Sequence, residues 1–554
     1  MIPFVEIFSV LWLTRTLKLV LFWIYLWQLK AYHIGRFVDH FRTQKGRQLV
    51  LGTLPILKII LLFFLLTSSE FLTLVFYVLL VLYLLELGLF INGLAKKTFK
   101  KPVFTFKALL LTAVSILLTI LYLIFTYNYN EVLGLTFSLL LIDIAMPLII
   151  SATVLLFQPF FVFARNRILK KAAKKMAQHK NLIVIGITGS YGKTSTKEFL
   201  TTILSGKFKV LATPEHKNSE IGISETILND LNEKHQVFVV EMGSYNKGGI
   251  KLLCDIVRPR IGMVTGVNEQ HLATFGSLEN LLSAEGGREL AKSLPQNGLL
   301  ILNGDNKYCL DLYKKFNGNK KIYTVKKNTI DSDIWTEDVE VKKDSLHFMA
   351  MCQDKEIAHF DVNVLGQQNV QNLLGAILVA KELGMGLEEI AKACKNIKQE
   401  QAGMTLKKGV YGLQIIDSSY SSNPDGVMAD LDYLNFFSQN LSSLDNFIKV
   451  KKVVVMPCLI ELGQASSVIH QQIGQKIAEV CDLAIITTKD KFEEIKQGAI
   501  ANGMPNDKIL LCDTSASSVQ ANKIFNIITT FCKEGDAVLL EGRVPENSIK
   551  ALVK

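Results

Sequence analysis

Cysteine is missing from the first 250 residues of this 554-residue chain, and the cysteines that follow are scattered. None of the eight forms a C-x-x-C pair, and no group of histidines has metal-ligand spacing. This distribution excludes a disulfide-stapled secreted domain and a structural zinc site. It predicts reduced thiols in a cytosolic compartment.

Charge is scarce in the first 165 residues, where the apolar excess of the chain lies. Hydrophobic residues make up 49% of the sequence, and the mean hydropathy is +0.28. A helix needs ~20 apolar residues to cross a bilayer. We predict five spans, at about 6–28, 49–68, 70–94, 105–128 and 132–163. The first run is too long and too charged for a cleaved signal peptide. The alternative is a single anchor followed by buried helices of a soluble domain.

Lysine and arginine are missing from two connections between these runs, at 67–70 and 127–131. The other connections are basic: Lys30 to Arg47, then Lys96, Lys97, Lys100 and Lys101, then Arg165 to Lys175. The positive-inside rule makes the basic face cytoplasmic. This predicts a membrane protein with its N-terminus outside and everything after residue 165 in the cytoplasm.

Among the charged residues within the apolar runs, Arg15, Lys18 and Asp143 need an explanation. Each basic charge costs about 2.5–3.5 kcal/mol at a helix centre. Either the first span is shifted, or Arg15 and Lys18 face a partner helix or a lipid phosphate. An intramembrane carboxylate such as Asp143 is a functional candidate, although it is also compatible with a break in a long tilted helix.

The strict phosphate-loop spacing G-x-x-x-x-G-K-[ST] is missing too, because position 187 is Ile. The shorter G-x-x-G-K-T stands at 189–194, between a β-branched apolar run and a segment with helical character. Backbone N–H groups, a helix N-terminus and Lys193 favour phosphate there, and Thr194 offers a hydroxyl to Mg²⁺. The alternative is an ordinary strand–turn–helix connection with a chance lysine.

Polar side chains follow the next predicted strands. Glu241 ends one strand, and His271 comes shortly after another, which ends at Asn268. Because an open α/β sheet binds ligands at the carboxyl ends of its strands, Glu241 is the first candidate for Mg²⁺. A solvated acid and an ordinary loop histidine are the alternatives.

The order of these motifs resembles that of the Mur ligase family, within it most of all the branch that adds D-alanyl-D-alanine to a UDP-linked muramoyl tripeptide. The matching stretches are TGSYGKTSTKE (188–198), EMGSYNKGGI (241–250), HLATFGSLENLLSAEG (271–286), LNGDN (302–306), LGQQNVQNLLGA (365–376), IIDSSYSSNPD (415–425) and IELGQASSVIH (460–470). The resemblance implies a P-loop α/β ATPase domain at 181–400 and a smaller Rossmann-like α/β domain at 401–554. We predict an α-helical transmembrane domain at 1–165 and a basic linker at 166–180 before them, where the family usually has a UDP-binding domain.

The resemblance also implies roles for individual residues. Catalysis would involve Lys193, Glu241, His271 and Glu285, and Mg²⁺ would be held by Thr194, Glu241, His271 and Glu285. The expected ATP-binding residues are Gly189, Ser190, Tyr191, Gly192, Lys193, Thr194, Ser195, Asn303, Asp305, Asn369, Asn372, Asp417, Tyr420 and Asn423. His470 would lie beside the incoming amine, or be a surface histidine.

Several positions depart from the family pattern. Glu285 stands where members often carry a carbamylated lysine, and it supplies a carboxylate without CO₂. Gln368 replaces a histidine, Gly403 replaces an arginine that usually reaches the nucleotide, and Ser418 replaces an acid that usually grips ribose. The usual V-K-G-S-R is Leu-Glu-Gly-Arg at 540–543.

The resemblance therefore implies an ATP-dependent amide ligase of peptidoglycan precursor synthesis, acting through an acyl phosphate on a muramyl-peptide carboxylate. Its partners would be a UDP- or lipid-linked muramyl peptide, D-alanyl-D-alanine or another amino acid, and membrane lipid. A poly-γ-glutamate-type synthetase and a non-catalytic ATP-binding scaffold remain alternatives. Nucleic-acid binding is not expected, although the net charge is +11, because the conspicuous basic clusters flank the predicted spans.

Overall fold

The computed structural model describes residues 2–30, 32–67, 71–96, 99–129, 132–326, 331–420, 422–444, 450–514 and 517–553. Lys97 and parts of the two loops without basic residues, at 68–70 and 130–131, lie outside the described residues. The chain divides into two compact units, Met1–Asn166 and Arg167–Lys554.

The first unit is built of helices. They are α1 (Ile2–Leu29), α2 (Ile34–His40), α3 (Gln44–Leu51), α4 (Thr53–Thr67), α5 (Leu72–Ala95), α6 (Phe106–Tyr129) and α7 (Val132–Gln178), the last of which continues into the second unit. Among the described residues, five helical stretches are long and apolar enough to cross a membrane: Val5–Leu29, Gly46–Thr67, Leu72–Ala95, Phe106–Asn128 and Val132–Gln178.

Two of the apolar segments differ in detail from their predicted form. The second is interrupted at Gly52, whose backbone is extended (φ −74°, ψ 170°), and α4 begins directly after it with Pro55 in its first turn. Proline is tolerated there because a first-turn N–H has no partner within the helix. The fifth runs for 47 residues, so that most of the predicted basic linker is part of α7.

Charged side chains meet inside the first unit. Arg15 on α1 contacts Glu86 on α5 and Asp143 on α7. Lys58 on α4 lies 3.3 Å from Glu86 and 3.1 Å from Asp143, and the Tyr83 hydroxyl donates to Asp143 at 3.2 Å. Arg15 therefore faces partner helices, which was one of the two predictions for it. Asp143 lies within the continuous helix α7, so the alternative of a helix break is wrong. Lys58 and Glu86 were missing from the sequence predictions.

The second unit begins with a central domain built on a sheet that has nine strands in the described part of the chain. The strands are β1 (Ile183–Thr188), β2 (Val210–Ala212), β3 (Val237–Glu241), β4 (Ile261–Val264), β5 (Leu299–Asn303), β6 (Asn319–Thr324), β7 (Ile334–Val341), β8 (Leu346–Cys352) and β9 (Ile357–Val362). Their order is β2-β3-β1-β4-β5-β6-β7-β8-β9, parallel up to β7 and antiparallel beyond it.

Helices connect and cover these strands. They are α8 (Lys193–Leu204), α9 (Glu220–Asn229), α10 (Gly249–Val257), α11 (Leu272–Phe275), α12 (Leu278–Ser283), α13 (Arg288–Ser293), α14 (Lys307–Lys315), α15 (Gln368–Glu382) and α16 (Leu387–Cys394). β1, β3, β4 and β5 are almost entirely apolar and buried, as parallel strands covered on both faces must be.

A C-terminal domain follows, with strands β10 (Thr405–Lys408), β11 (Gln414–Ser418), β12 (Lys452–Met456), β13 (Leu483–Ile486), β14 (Ile509–Leu511) and β15 (Ala537–Glu541). Its helices are α17 (Pro424–Leu444), α18 (Ser466–Val480), α19 (Phe492–Ala501), α20 (Ser517–Phe531) and α21 (Glu546–Leu552). The strand order is β10-β11-β15-β12-β13-β14, and only β10 is antiparallel. The predicted α/β architecture after residue 180 is confirmed.

Candidate active site

The loop at 189–192 joins β1 to α8 at the carboxyl edge of the central sheet. Gly189 (φ 141°) and Gly192 (φ 73°) have left-handed backbones, and a Cβ on either would collide with Thr265 Oγ1 or Asn372 Oδ1. Glycine is therefore required at both positions. Gly192 caps α8 without a side-chain hydrogen bond, which leaves the first N–H groups of the helix available for an anion.

The side chains of this loop point to different neighbours. Lys193 Nζ donates to Gly189 O at 2.5 Å and lies 3.5 Å from Ser190 O, so its charge is held over the loop. Tyr191 Oη accepts from Asn306 Nδ2 at 3.2 Å. Ser195 instead donates to Ala402 O at 3.3 Å, at the junction between the two domains. The predicted contact of Ser195 with nucleotide has no support from this orientation.

Glu241 lies at the end of β3, beside β1, with 5% of its surface exposed. Its Oε1 accepts from Asn218 Nδ2 at 2.9 Å, and its Oε2 lies 3.7 Å from the fully buried Lys197 Nζ. The lysine and the amide together orient this carboxylate. The strand position predicted for Glu241 is thus observed, while Lys197 is a partner that the sequence predictions missed.

His271 and Glu285 form a pair near the same sheet edge. His271 Nδ1 is 3.0 Å from Glu285 Oε1, and the other Glu285 oxygen accepts from Ser190 Oγ at 2.9 Å. Burial opposes ionisation of Glu285, but His271, Lys193 and Ser190 together hold its pKa below the usual range. The sequence predicted the residues of this pair separately, and the structure brings them into contact with the phosphate loop.

The C-terminal domain covers the site. The ring of Tyr420 stacks on His216 of the central domain at 5.2 Å, and its hydroxyl is 3.2 Å from His216 Nδ1. Asn423 Oδ1 accepts from Asn268 Nδ2 at 3.2 Å. Asn268 follows β4, so its position after a strand could have indicated a site residue, as it did for Glu241. No pattern in the sequence indicated His216.

A second contact joins the domains beside His271. Glu461 O accepts from Ala273 N at 3.0 Å, and Glu461 Oε2 lies 3.9 Å from His271 Nε2. The Glu461 loop is held by His470, which is buried, accepts from Leu459 N at 2.9 Å and contacts Ser466 O at 2.6 Å. Burial lowers the pKa of His470. His470 is thus a structural histidine that positions the loop, and the prediction of a surface histidine is wrong.

His216, His271 and Glu461 share an unusual backbone. Their φ angles are 64°, 68° and 66°, in the left-handed region that residues other than glycine seldom adopt. All three lie where the central and C-terminal domains meet around the phosphate loop. Such strain persists only where surrounding structure enforces it, and it clusters at functional sites.

Other residues predicted to bind nucleotide line or support a neighbouring cleft. This cleft, of about 460 Å³, lies between α15 and α17 and is lined in part by Asp305, Gln368, Gln371 and Tyr433. Asp305 Oδ2 accepts from Val325 N at 2.7 Å, whereas Asn303 is fully buried and donates to Thr265 O at 2.8 Å. Volumes of ~300–1,000 Å³ are usual for small-molecule sites, and of these two residues only Asp305 faces the cleft.

Asn369 and Asn372 lie on α15 behind the phosphate loop. Asn369 is 1% exposed, donates to Leu365 O at 2.7 Å and accepts from Asn372 Nδ2 at 3.0 Å. Asn372 Oδ1 accepts from Thr196 Oγ1 at 3.3 Å. Asn372 therefore links α15 to α8, and Asn369 orients Asn372. Contact of Asn369 with adenine would require the start of α15 to rearrange.

One departure from the family pattern has a local explanation, and the predicted ATP-binding residue Asp417 has protein partners. Gly403 has a φ of 81°, which disfavours an arginine at that place. Asp417 accepts from Lys407 Nζ at 2.6 Å and from Ser419 N at 3.1 Å. Burial opposes ionisation of Asp417, but these donors hold its pKa below the usual range.

The residues present suit a magnesium-bound phosphate. No three histidine, cysteine or acidic side chains converge as a metal cage within the described residues. Instead Glu241 and the His271–Glu285 pair flank an anion-binding loop separately. Mg²⁺ usually takes one or two carboxylates and completes its shell with phosphate oxygens and water, so this distribution fits it.

Comparison with known proteins agrees with this geometry. The family model described as the Mur ligase middle domain matches residues 187–380. The UDP-N-acetylmuramoyl-tripeptide–D-alanyl-D-alanine ligase of Bacillus subtilis (strain 168) is 29% identical over 310 residues, which are 56% of this chain and 63% of that relative. The chain thus spans less than two thirds of that relative's length.

Two solved structures share the fold. MurF from Acinetobacter baumannii has a TM-score of 0.59 at 23% identity and covers 70% of this chain and 79% of its own. MurF from Thermotoga maritima, in complex with ADP, has a TM-score of 0.56 at 22% identity, with coverages of 70% and 83%. The sequence motifs and the matched middle domain thus make this chain similar to the Mur ligases, and it shares the fold of these two structures.

Proposed function

We propose that the protein is an ATP-dependent amide ligase of peptidoglycan precursor synthesis. It would join D-alanyl-D-alanine, or another amino acid, to the carboxylate of a muramyl peptide. The observation that carries the proposal is the phosphate loop with Lys193, flanked by Glu241 and the His271–Glu285 pair beneath the C-terminal domain. The reaction named for the Bacillus subtilis relative supports it.

The proposed reaction assigns a role to each group of residues in the site. The loop N–H groups and Lys193 would bind the phosphates of ATP, while Thr194, Glu241, His271 and Glu285 would be the residues that hold Mg²⁺. A bound Mg²⁺ would neutralise phosphate charge during transfer. Transfer of the γ-phosphoryl group to the peptide carboxylate gives an acyl phosphate and ADP, and attack by the amine releases phosphate. Such chemistry depends on positioning and charge neutralisation.

Glu285 makes this site independent of carbon dioxide. Its carboxylate already accepts from Ser190 and contacts His271 without modification. A carbamylated lysine at the same place would need dissolved CO₂ to acquire its charge. Activity should therefore be the same in CO₂-depleted buffer and in bicarbonate.

The site would work at the cytoplasmic face of a membrane. The five apolar helical stretches support spans in the first unit, and the basic connections support an outside N-terminus. A membrane location favours a lipid-linked acceptor, whereas the reaction named for the Bacillus subtilis relative favours a UDP-linked one.

The test uses the full chain in lipid nanodiscs with Mg-ATP, D-alanyl-D-alanine and either a UDP-linked or a lipid-linked muramyl peptide. We expect ADP and the amide product with one of the two acceptors, and neither product with Lys193→Ala. The control Lys234→Ala, which removes an exposed lysine outside the candidate site, should have normal turnover. Absence of ADP above the Lys193→Ala level with every acceptor would refute the ligase.

A nucleotide-binding scaffold is the second candidate. It is favoured by the buried Asn369, by Gly403 in place of an arginine and by Ser418 in place of an acid. It predicts saturable ATP binding that Lys193→Ala removes, without turnover on any acceptor. Multiple-turnover amide formation would eliminate it.

A further inference from the structure

Two carboxyl groups are buried next to each other in the C-terminal domain. The pairing of β11 with β15 sets Ser418 beside Glu541 at the carboxyl ends of the strands. Asp430 on α17, which packs on β15, accepts a hydrogen bond from Ser418 Oγ at 2.5 Å and contacts Glu541. Asp430 is 5% exposed and Glu541 is 1% exposed.

No basic side chain neutralises these two acids within the described residues. The charged groups on the surrounding elements have other partners: Lys407 with Asp417, Lys476 with Asp432, and Lys452 with Asn435, the last at the far end of the sheet. Arg543 is exposed. A buried carboxylate without a cation is normally avoided by taking up a proton.

The hydrogen bonds point to the same conclusion. Among the described residues only the Ser418 and Ser422 hydroxyls come near Glu541, and neither of its oxygens has a well-formed hydrogen bond, so a carboxylate there would be poorly satisfied. As a carboxylic acid it donates to Asp430. Burial and the charge of Asp430 raise the pKa of Glu541 well above its usual range, against a smaller effect of the Ser418 and Ser422 hydroxyls. Burial also raises the pKa of Asp430.

The pair lies at the contact between the two domains. Gln368, at the start of α15 in the central domain, donates from Nε2 to Asp430 Oδ1 at 3.0 Å. The Glu461–Ala273 and Asn268–Asn423 contacts also join the two domains, and we call this arrangement closed. Opening of the C-terminal domain would separate Gln368 from Asp430 and admit water, in which both acids ionise freely.

We infer that Asp430 and Glu541 share one proton only while the C-terminal domain is closed on the central domain, so that the pair is a pH-dependent latch on closure. The closed form then binds one more proton than the open form. A rise in pH therefore favours the open form. Because one proton is linked to closure, the equilibrium constant for closing falls by at most about tenfold per pH unit.

Hydrogen–deuterium exchange on the full chain in nanodiscs tests this without ATP or turnover, so its outcome is separate from that of the ligase assay. The reporters are the amides of 271–275 and 459–463, corrected for intrinsic exchange rates, between pH 6 and pH 9. In wild type, protection of these amides from exchange should fall as pH rises. In Glu541→Gln, which keeps a hydrogen-bond donor towards Asp430, their protection should be the same from pH 6 to pH 9.

Glu493→Gln, an exposed change of the same kind on α19, should behave as wild type. Asp430→Asn provides a second variant if Glu541→Gln folds poorly, and it should also abolish the pH dependence. A wild type without pH dependence, or a Glu541→Gln variant that retains it, would overturn the latch. Protection that follows potassium or sodium concentration instead of pH would also overturn it, because a bound cation would then neutralise the pair.

Discussion

Each unit of the chain contains a pair of buried carboxyl groups, but the two pairs are neutralised in different ways. In the helical unit, Glu86 and Asp143 are balanced by Arg15 and Lys58, so charges of both signs are buried together. In the C-terminal domain, Asp430 and Glu541 have no cation and depend on a proton. The first arrangement is expected to lose much stability when one member is removed, whereas the stability of the second is expected to depend on pH.

The largest effect is expected from breaking the balanced set. Asp143→Asn leaves Arg15 and Lys58 with a single carboxylate and should cost about 3–5 kcal/mol of unfolding free energy, the usual result of removing one partner of a buried pair. Detergent-titrated unfolding followed by tryptophan fluorescence measures it, because Trp12, Trp23 and Trp27 lie in α1. A cost below 1 kcal/mol would show that these charges are solvated.

The next effect concerns Glu285, a buried acid in the second unit that does have partners. Its lowered pKa means that its contribution is present above the ordinary carboxylic range and is lost as pH falls through the folded-state pKa. Glu285→Gln should therefore cost about 1.5–3 kcal/mol at pH 7, the range for hydrogen bonds to charged groups, and little in acid. Exchange of the β1 and β4 amides reports it, and an equal cost at both pH values would contradict it.

Glu541→Gln should have the opposite pH dependence. Because the folded-state pKa is raised, wild type loses stability as pH rises from the ordinary carboxylic range towards that value. In this interval the unfolding free energy of the variant should rise relative to that of wild type by about 1.4 kcal/mol per pH unit. The pH dependence of chemical unfolding of the second unit measures the difference. Parallel curves for the two proteins would place the titration elsewhere.

The smallest effect is expected at an exposed pair of the helical unit. Arg42 lies 3.2 Å from Asp39, but 72% of the arginine side chain is exposed. Asp39→Asn should change stability by less than about 0.5 kcal/mol, since surface pairs are worth little. It is the matched control for Asp143→Asn, and a large loss would indicate that exposure does not separate the two cases.

The sequence predicted best what depends on local pattern. The phosphate loop follows from Gly189, Gly192 and Lys193 after a β-branched run, because strand, turn and helix start are each encoded within a few residues. The five apolar segments were predictable for the same reason. The break at Gly52 was not, since a single glycine inside an apolar run does not by itself interrupt a helix.

Partnerships across the fold were the part that could not be predicted. Arg15 and Asp143 were recognised as isolated charges, but Lys58 and Glu86 complete their set only when four helices pack. His470 was assigned to the surface or to the amine, because its burial depends on how α18 meets β12. Ser418 and Glu541 read as separate departures from a motif, and only the β11–β15 register makes them neighbours.

Every cysteine in the chain is buried, and burial raises the pKa of Cys254, Cys309 and Cys352 to about 12. Thiols of this kind react slowly with maleimides and oxidants, since the thiolate is the reactive form. The natural sequence is therefore already a suitable background for site-specific labelling. Fluorophores on two cysteines introduced at exposed sites of the central and C-terminal domains would follow closure in single molecules, without first replacing any native thiol.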